Sequence, residues 1–279
     1  MPQQLSFHVT FTCPFPVATT GVGTALTVGR FRREACLIFL AQTGHADEVV
    51  YLRTCDGTEV YRHSSPPTRN TIVSMHSDPT SDEVWCANAT NHFHEVFAFQ
   101  IQSGRESRGF NVGGVSDLSV GHSRGPGIAT DGVNLYRCGQ GTGLSGLVEG
   151  FHKDGTLFTS FVLHNAAAND ICAAPHGLAY YFRESQQVRI WDKFGQELAF
   201  AELPGMPQTS SGHPTNGAIA FDLISHMRDE PQEWAGCVPG PVGTANHPGT
   251  SWNPAPFTHR HKLYFANERE RIIYGGYLY

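Results

Sequence analysis

Two consecutive stretches of the chain, together spanning Gly125 to Leu203, repeat one plan, and that repeat limits the possible folds more than any other feature. The first reads Gly127-Ile-Ala-Thr, Asp131-Gly-Val, Asn134-Leu-Tyr-Arg-Cys, a glycine-rich loop, Ser145 to Phe151, His152-Lys-Asp-Gly and Thr156-Leu-Phe-Thr-Ser-Phe-Val-Leu. The second reads Ile171-Cys-Ala-Ala, Pro175-His-Gly, Leu178-Ala-Tyr-Tyr-Phe-Arg, Glu184-Ser-Gln, Gln187-Val-Arg-Ile-Trp-Asp, Lys193-Phe-Gly-Gln and Glu197-Leu-Ala-Phe-Ala-Glu-Leu. Asp-Gly and Phe-Gly stand at the last turn of the respective units, where glycine accepts the positive φ that a tight hairpin between twisted strands demands. Each unit is therefore predicted to be a four-stranded antiparallel meander.

Ile128 and Ile171 hold the same place in the two units, and their spacing matches the roughly 40 to 45 residues of a radially repeated four-stranded unit. A lone meander cannot bury both faces, so such units stack around an axis. The expected fold is all-β: a β-propeller of six four-stranded blades, with five and seven left open because residues 206–256 are rich in Gly, Pro, Ser and Thr. The blades are expected at about 20–65, 70–121, 125–165, 169–205, 216–253, and 256–279 together with 5–13, all in one domain. Leu5 to Cys13 alternate apolar and polar residues. They would supply the fourth strand that the C-terminal segment lacks, closing the ring and covering its open edge. With 40% hydrophobic residues, 30 Gly and 17 Pro, the chain of 279 residues has the core and the turns for this architecture.

A net charge of −6 and a pI near 6.2, with no long Lys or Arg run, speak against nucleic acid or an anionic membrane as the main partner. Arg30-Phe-Arg-Arg33 is the one dense basic spot and reads as a solvated loop. The 7 cysteines form no C-x-x-C pair and fall mostly inside predicted strands, as buried reduced thiols do. The N-terminus lacks the basic start and apolar run of a signal peptide, and no apolar stretch reaches the ~20 residues of a membrane span. A cytoplasmic protein is expected.

In a ring of blades the innermost strands line a central channel. The loops leading into them, with those between second and third strands, crowd one face, and a pocket at that mouth is where a small ligand binds. Those loops carry more than half of the 15 histidines, among them His45, His63, His92, His94, His122, His164, His213 and His247, together with Asn169, Asp170 and Asn216. His76, His152 and His176 go to the opposite face. Histidine titrates near neutrality and so moves protons, which makes His164, His213 and His122 the expected catalytic residues. The zinc-hydrolase and serine-hydrolase signatures are missing. Gly139-Gln-Gly-Thr-Gly-Leu precedes no helix and reads as a blade loop rather than a phosphate loop.

Two segments, His213-Pro-Thr-Asn-Gly-Ala-Ile-Ala-Phe-Asp222 and Asn169-Asp-Ile-Cys-Ala-Ala-Pro-His-Gly-Leu-Ala-Tyr-Tyr181, resemble the blade-opening segments of the gluconolactonase and senescence-marker family, six-bladed propellers of the strictosidine-synthase-like type. The resemblance covers about two blades. It implies a divalent cation, calcium by preference, held in the channel by oxygen ligands, with Asn216 as one ligand and Asn169 or Asp170 as the neighbouring blade's. The family's early Glu has no matched position here.

The function expected from these observations is that of a propeller enzyme acting on a small organic molecule in the channel mouth. One version is lactone-type hydrolysis in which the cation polarises a carbonyl and a histidine shuttles the proton. The other is cofactor-free cyclisation or isomerisation, with Phe93, Tyr136 and Trp252 orienting the ligand. The rival class is a non-catalytic protein-interaction scaffold, since fold does not dictate function. A lectin is the third reading, against which the 4 Trp occupy unrelated blade positions. Convergent polar groups at the head of the channel would favour the enzyme, and an apolar plug the scaffold.

Overall fold

The computed structural model describes residues 2–16, 24–42, 47–64, 72–88, 96–111, 127–138, 147–162, 170–175, 177–183, 185–192, 195–205, 217–223 and 260–279. Two strands open the chain, β1 (Gln3–Gln4) and β2 (Phe7–Pro14). Four meanders follow, each pairing its strands in chain order. The first blade is β3 (Thr24–Phe31), β4 (Glu34–Gln42), β5 (Asp47–Arg53) and β6 (Glu59–Ser64). The second is β7 (Ile72–Ser77), β8 (Glu83–Asn88), β9 (Val96–Gln100) and β10 (Glu106–Phe110). The third is β11 (Gly127–Thr130), β12 (Asn134–Cys138), β13 (Leu147–His152) and β14 (Leu157–Val162). The fourth is β15 (Asp170–Ala174), β16 (Gly177–Phe182), β17 (Gln187–Trp191) and β18 (Glu197–Glu202). The fifth joins the two ends of the chain, with β19 (Gly217–Phe221), β20 (His261–Asn267), β21 (Ile272–Leu278) and β2 in that order.

The described residues thus form five blades, where six were expected. Gly217–Phe221, expected to open a blade of its own, pairs directly with β20, Gly217 opposite Asn267 and Phe221 opposite Leu263. The two blades expected beyond Leu203 are one. The outer edge of β19 finds its partner across the whole of 224–259, which lies outside the described residues.

The first strand of every blade is innermost, and these strands touch in the order β3, β7, β11, β15, β19 and β3 again. Apolar side chains fill each seam between neighbouring blades. Phe39, Leu52 and Tyr264 pack between the fifth and first blades; Tyr51, Cys86 and Phe99 between first and second; Trp85, Ile128 and Phe151 between second and third; Tyr136, Tyr180 and Trp191 between third and fourth; Tyr181, Ile219 and Phe265 between fourth and fifth. Burial of both faces explains why the inner and middle strands read as nearly unbroken apolar runs, while outer strands such as Glu59–Ser64 alternate. Cys13, Cys36, Cys86, Cys138 and Cys172 are buried in this packing as unpaired thiols.

The turn between third and fourth strands carries one device three times over. An aspartate accepts a hydrogen bond from a backbone N–H a few residues on: Asp56 from Thr58 at 2.9 Å, Asp154 from Thr156 at 2.9 Å, and Asp192 from Gln196 at 2.9 Å. This side-chain turn mimics a backbone one. It is followed by a glycine in the left-handed region, with φ of 92° at Gly155 and 83° at Gly195, as the two hairpin signals predict.

The N-terminal segment ties two blades together. β1 adds to β18 in parallel, Leu5 N–H donates to the Phe200 carbonyl at 2.8 Å, and the buried Leu5 side chain enters the seam between the fourth and fifth blades. β2 then runs antiparallel to β21. Gly275 and Gly276 make that approach possible: the Phe11 ring lies over Gly275 and meets Tyr264 edge-on, and a Cβ on Gly276 would stand 2.3 Å from the His8 carbonyl oxygen. Backbone cannot yield as a flexible side chain does. Gly276→Ala is expected to cost about 1–3 kcal/mol, the usual size of an overpacking defect, and to lower the melting temperature in a thermal unfolding scan by several degrees.

Candidate active site at the head of the central channel

All five blades repeat one up-and-down plan, so their innermost strands run in the same direction and their first residues share one rim. The inner edge of each such strand has no ladder partner, and its N–H groups need one elsewhere. Side chains of other blades supply it. Ser74 Oγ, on β7, accepts from Ile128 N–H at 3.0 Å; Asp170 Oδ2, on β15, accepts from Ile219 N–H at 3.0 Å; His76 Nε2 accepts from Ala173 N–H at 2.9 Å; Thr27 Oγ1 accepts from Ser77 N–H at 2.8 Å. Ser74 Oγ donates in turn to Asp170 Oδ1 at 2.9 Å, which spans from the second blade to the fourth. Ser74 and His76, two residues apart on one strand, project to the same face. They form two polar rungs across the channel.

Asp170 stands at the rim end of β15 and is 5% exposed. Its carboxylate joins the second, fourth and fifth blades through Ser74 and Ile219. Both of its oxygens face hydrogen-bond donors, as suits a buried acceptor. On the same rim Glu268, in the turn between β20 and β21, turns Oε1 to the first residue of β3 and accepts from Thr24 N–H at 2.8 Å and Thr24 Oγ1 at 2.9 Å. Glu268 is half-buried. It is a carboxylate at the channel mouth, held in place by a neighbouring blade. Cys138 lies against Gly127 nearby, and its thiol is pushed up to about 12 by burial first and by the Asp170 charge second, so it stays protonated.

Of the residues singled out from sequence, Asp170 alone of the metal set is described. His122, His164, His213, Asn169 and Asn216 lie outside the described residues, as do His45, His92, His94, His176, His247, Phe93 and Trp252. His63 is not at the mouth: it sits in the outer strand β6 with Nε2 3.0 Å from Tyr51 Oη, among Tyr61 and Phe99. Tyr136 is buried in a seam and donates to Asp131 Oδ2 at 3.3 Å, so it orients no ligand in the mouth. His76 lines the channel itself. Ser74, Thr24 and Glu268 were not singled out. The signal for Ser74 and His76 was two polar residues at i and i+2 inside Ile72-Val-Ser-Met-His-Ser77, a strand buried almost throughout. Glu268 carries no local signal, because its place on the rim depends on the pairing of β20 with β19.

A cation held by Asp170 does not fit the described residues. Among the described residues its carboxylate meets the Ser74 O–H and the Ile219 N–H, donors that present hydrogen rather than lone pairs, and no three His, Cys, Asp or Glu side chains converge on one point.

No family model and no curated protein matches the sequence. Among solved structures, the chain is similar to the glutaminyl cyclase of Myxococcus xanthus at 13% identity, covering 100% of this chain and 98% of that one with a TM-score of 0.61. Regucalcin of Agrobacterium tumefaciens, a calcium-binding protein, matches at 12% identity over 79% of this chain and 84% of that one, with a TM-score of 0.45. With the sheets described above, the first likeness defines the chain as an all-β β-propeller. At such identity the likeness is one of fold.

His76 gives the channel a pH dependence. Nδ1 donates to the Ser77 carbonyl at 2.9 Å while Nε2 accepts from Ala173, so the ring is held neutral; burial lowers its pKa from 6.5 to about 4. Between these values the unfolded chain takes up a proton that the folded chain refuses, so stability falls as pH drops below about 6.5 and the loss levels off near 4. The whole effect is about 3 kcal/mol, from the 1.36 kcal/mol carried by each pKa unit. Urea unfolding at neutral pH and at mildly acid pH should show it in the wild type and not in His76→Gln, whose amide oxygen can still accept from Ala173. An equal acid loss in both proteins would assign it to other groups.

Proposed function

We propose that this chain is an enzyme acting on a small organic molecule at the rim where its innermost strands begin, by cofactor-free ring closure. The observation that carries this reading is the Ser74–Asp170 bridge, with the Thr24-anchored Glu268 carboxylate on the same rim: among the described residues the channel head carries fixed polar groups, which supports an enzyme over a scaffold with an apolar plug. Preorganised groups of this kind need no rearrangement at the moment of reaction.

The likeness along the full chain to a glutaminyl cyclase favours cyclisation over lactone hydrolysis within this class. Ring closure of a glutaminyl residue forms a bond between its own amine nitrogen and the carboxamide carbon and releases ammonia. It needs a held conformation, a base for the amine proton and an acid for the departing nitrogen. Glu268 takes the proton. His164, His213 and His122, which the sequence puts on loops of the same rim, deliver one to the leaving group. Asp170 acts as a positioning residue, holding three blades in register under the mouth. The partner is a small molecule rather than nucleic acid or membrane, and the compartment is the cytoplasm. The rival version, lactone hydrolysis with a calcium ion on Asn169, Asp170 and Asn216, would have to break the hydrogen bonds that Ser74 and Ile219 give the Asp170 carboxylate.

Incubation with glutaminyl dipeptides and with simple lactones tests the reading. Ammonia release from the dipeptides is expected, with Glu268→Gln lowering kcat by roughly 100-fold or more, the span of a general base, at an unchanged melting temperature. Turnover of lactones alone, with stoichiometric calcium in the purified protein, would replace ring closure by the metal-dependent version. Turnover of neither class sinks the enzyme.

A further inference from the structure

The opposite end of the channel carries a cleft that the proposed function does not use. It lies between the first and second blades where β3 and β7 end, encloses about 350 Å³, and is lined by Arg30, Arg33, Thr80, Ser81, Asp82 and Gln102. That volume falls in the range of small-molecule pockets, roughly 300–1,000 Å³. Among the described residues, neither the Arg30 nor the Arg33 guanidinium has a hydrogen bond or an ion pair. From sequence these arginines read as a solvated loop.

The hairpin that presents them is not an ordinary one. Phe31 pairs with Glu34, so the loop is Arg32-Arg33 alone, with φ of 48° and 72°. Both residues are in the left-handed region, where two-residue hairpins select Asn-Gly, and side chains placed there are strained unless their surroundings hold them. The surroundings do so. Gln102 Oε1 accepts from Arg32 N–H at 3.3 Å, while its amide nitrogen donates to the Arg30 carbonyl at 3.1 Å and to Asp82 Oδ1 at 3.3 Å. The Arg32 guanidinium lies over Phe31, 5.0 Å from the ring centroid, and 6.0 Å from that of Tyr61. Arg32 is thus engaged by aromatic faces and Gln102 clamps the turn to the second blade, which leaves Arg30 and Arg33 to the cleft.

The two walls differ in character. The first blade contributes the guanidiniums, and the second contributes the Ser81 hydroxyl and the Asp82 carboxylate. Asp78, at the cleft's inner end, is neutralised by Lys153 at 2.5 Å. Arginine forks match the oxygens of a phosphate, and a carboxylate with a hydroxyl beside it accepts from and donates to alcohol groups. We propose that this cleft binds a phosphorylated small polyol, its phosphate held by Arg30 and Arg33 and its hydroxyls by Ser81 and Asp82.

Calorimetric titration with glucose 6-phosphate, inorganic phosphate and glucose tests this. Glucose 6-phosphate is expected to bind at one site per chain and glucose not at all, with R30A and R33A each weakening the phosphate ester roughly tenfold or more, the equivalent of one charge-assisted contact. The double variant R32N/R33G, which gives the turn its preferred residues, should melt no lower than wild type and still bind weakly, so that lost binding is separated from lost folding. Absence of glucose 6-phosphate binding to the wild type, or equal binding to R30A and R33A, overturns the site. Inorganic phosphate binding as tightly as the ester would overturn the contacts assigned to Ser81 and Asp82.

Discussion

The inner edges of the first strands are the constraint on which the rest of this ring depends. Each such edge exposes N–H groups that no neighbouring strand can pair, and a buried amide left unpartnered costs about 1–3 kcal/mol. Several of them would consume much of the ~5–15 kcal/mol by which a folded protein is stable. The chain meets the need with single side chains from other blades: Thr27, Ser74, Asp170 and Glu268 serve the adjacent blade, and His76 reaches from the second blade to the fourth. Every one of them is polar, and all lie in or beside strands that are otherwise apolar. Three of them, Ser74, Asp170 and Glu268, also put polar groups at the head of the channel.

Packing and polarity divide the labour. The seams between blades are filled by aromatic and aliphatic side chains, which favour compactness but tolerate sliding. Hydrogen bonds that cross from blade to blade are directional and do not. Asp170, touching three blades at once, removes the freedom of one blade to rotate against another that a purely apolar seam would leave. At the other rim the buried Asp78 does comparable work: burial would raise its pKa, yet the ammonium of Lys153 and the donors of Thr80 hold it below the usual carboxylate range, and Lys153 reaches over from the third blade.

How much of this was legible depended on whether the signal was local. The meander of Gly127 to Glu202 was readable because its turns carry their own chemistry, Asp154-Gly155 and Gly195 among them, and its strands their own apolar runs. The number of blades was not. It turns on Gly217–Phe221 pairing with His261–Asn267, and an allotment of about forty residues per blade assigns those two strands to different blades. Asp170 was readable as a channel residue and not as a bridge, since its partners Ser74 and Ile219 lie far away along the chain. Glu268 was invisible for the same reason. The histidine-rich loops drew attention by composition, whereas the described polar network uses only His76 among the histidines, placed by its strand rather than by a loop.

The lacing of residues Gln3 to Pro14 onto β18 and β21 has a bearing on how the molecule comes into being. β1 pairs with the last strand of the fourth blade and β2 with β21, so both reach partners separated from them by most of the strands. Contacts of such sequence separation are slow to form because the loop they shut is nearly the whole chain. Until they form, the edges of β18 and β21 stand open to other chains. The blade that β2 completes can therefore form only when segments far apart along the chain meet, which makes it the costliest of the five to close.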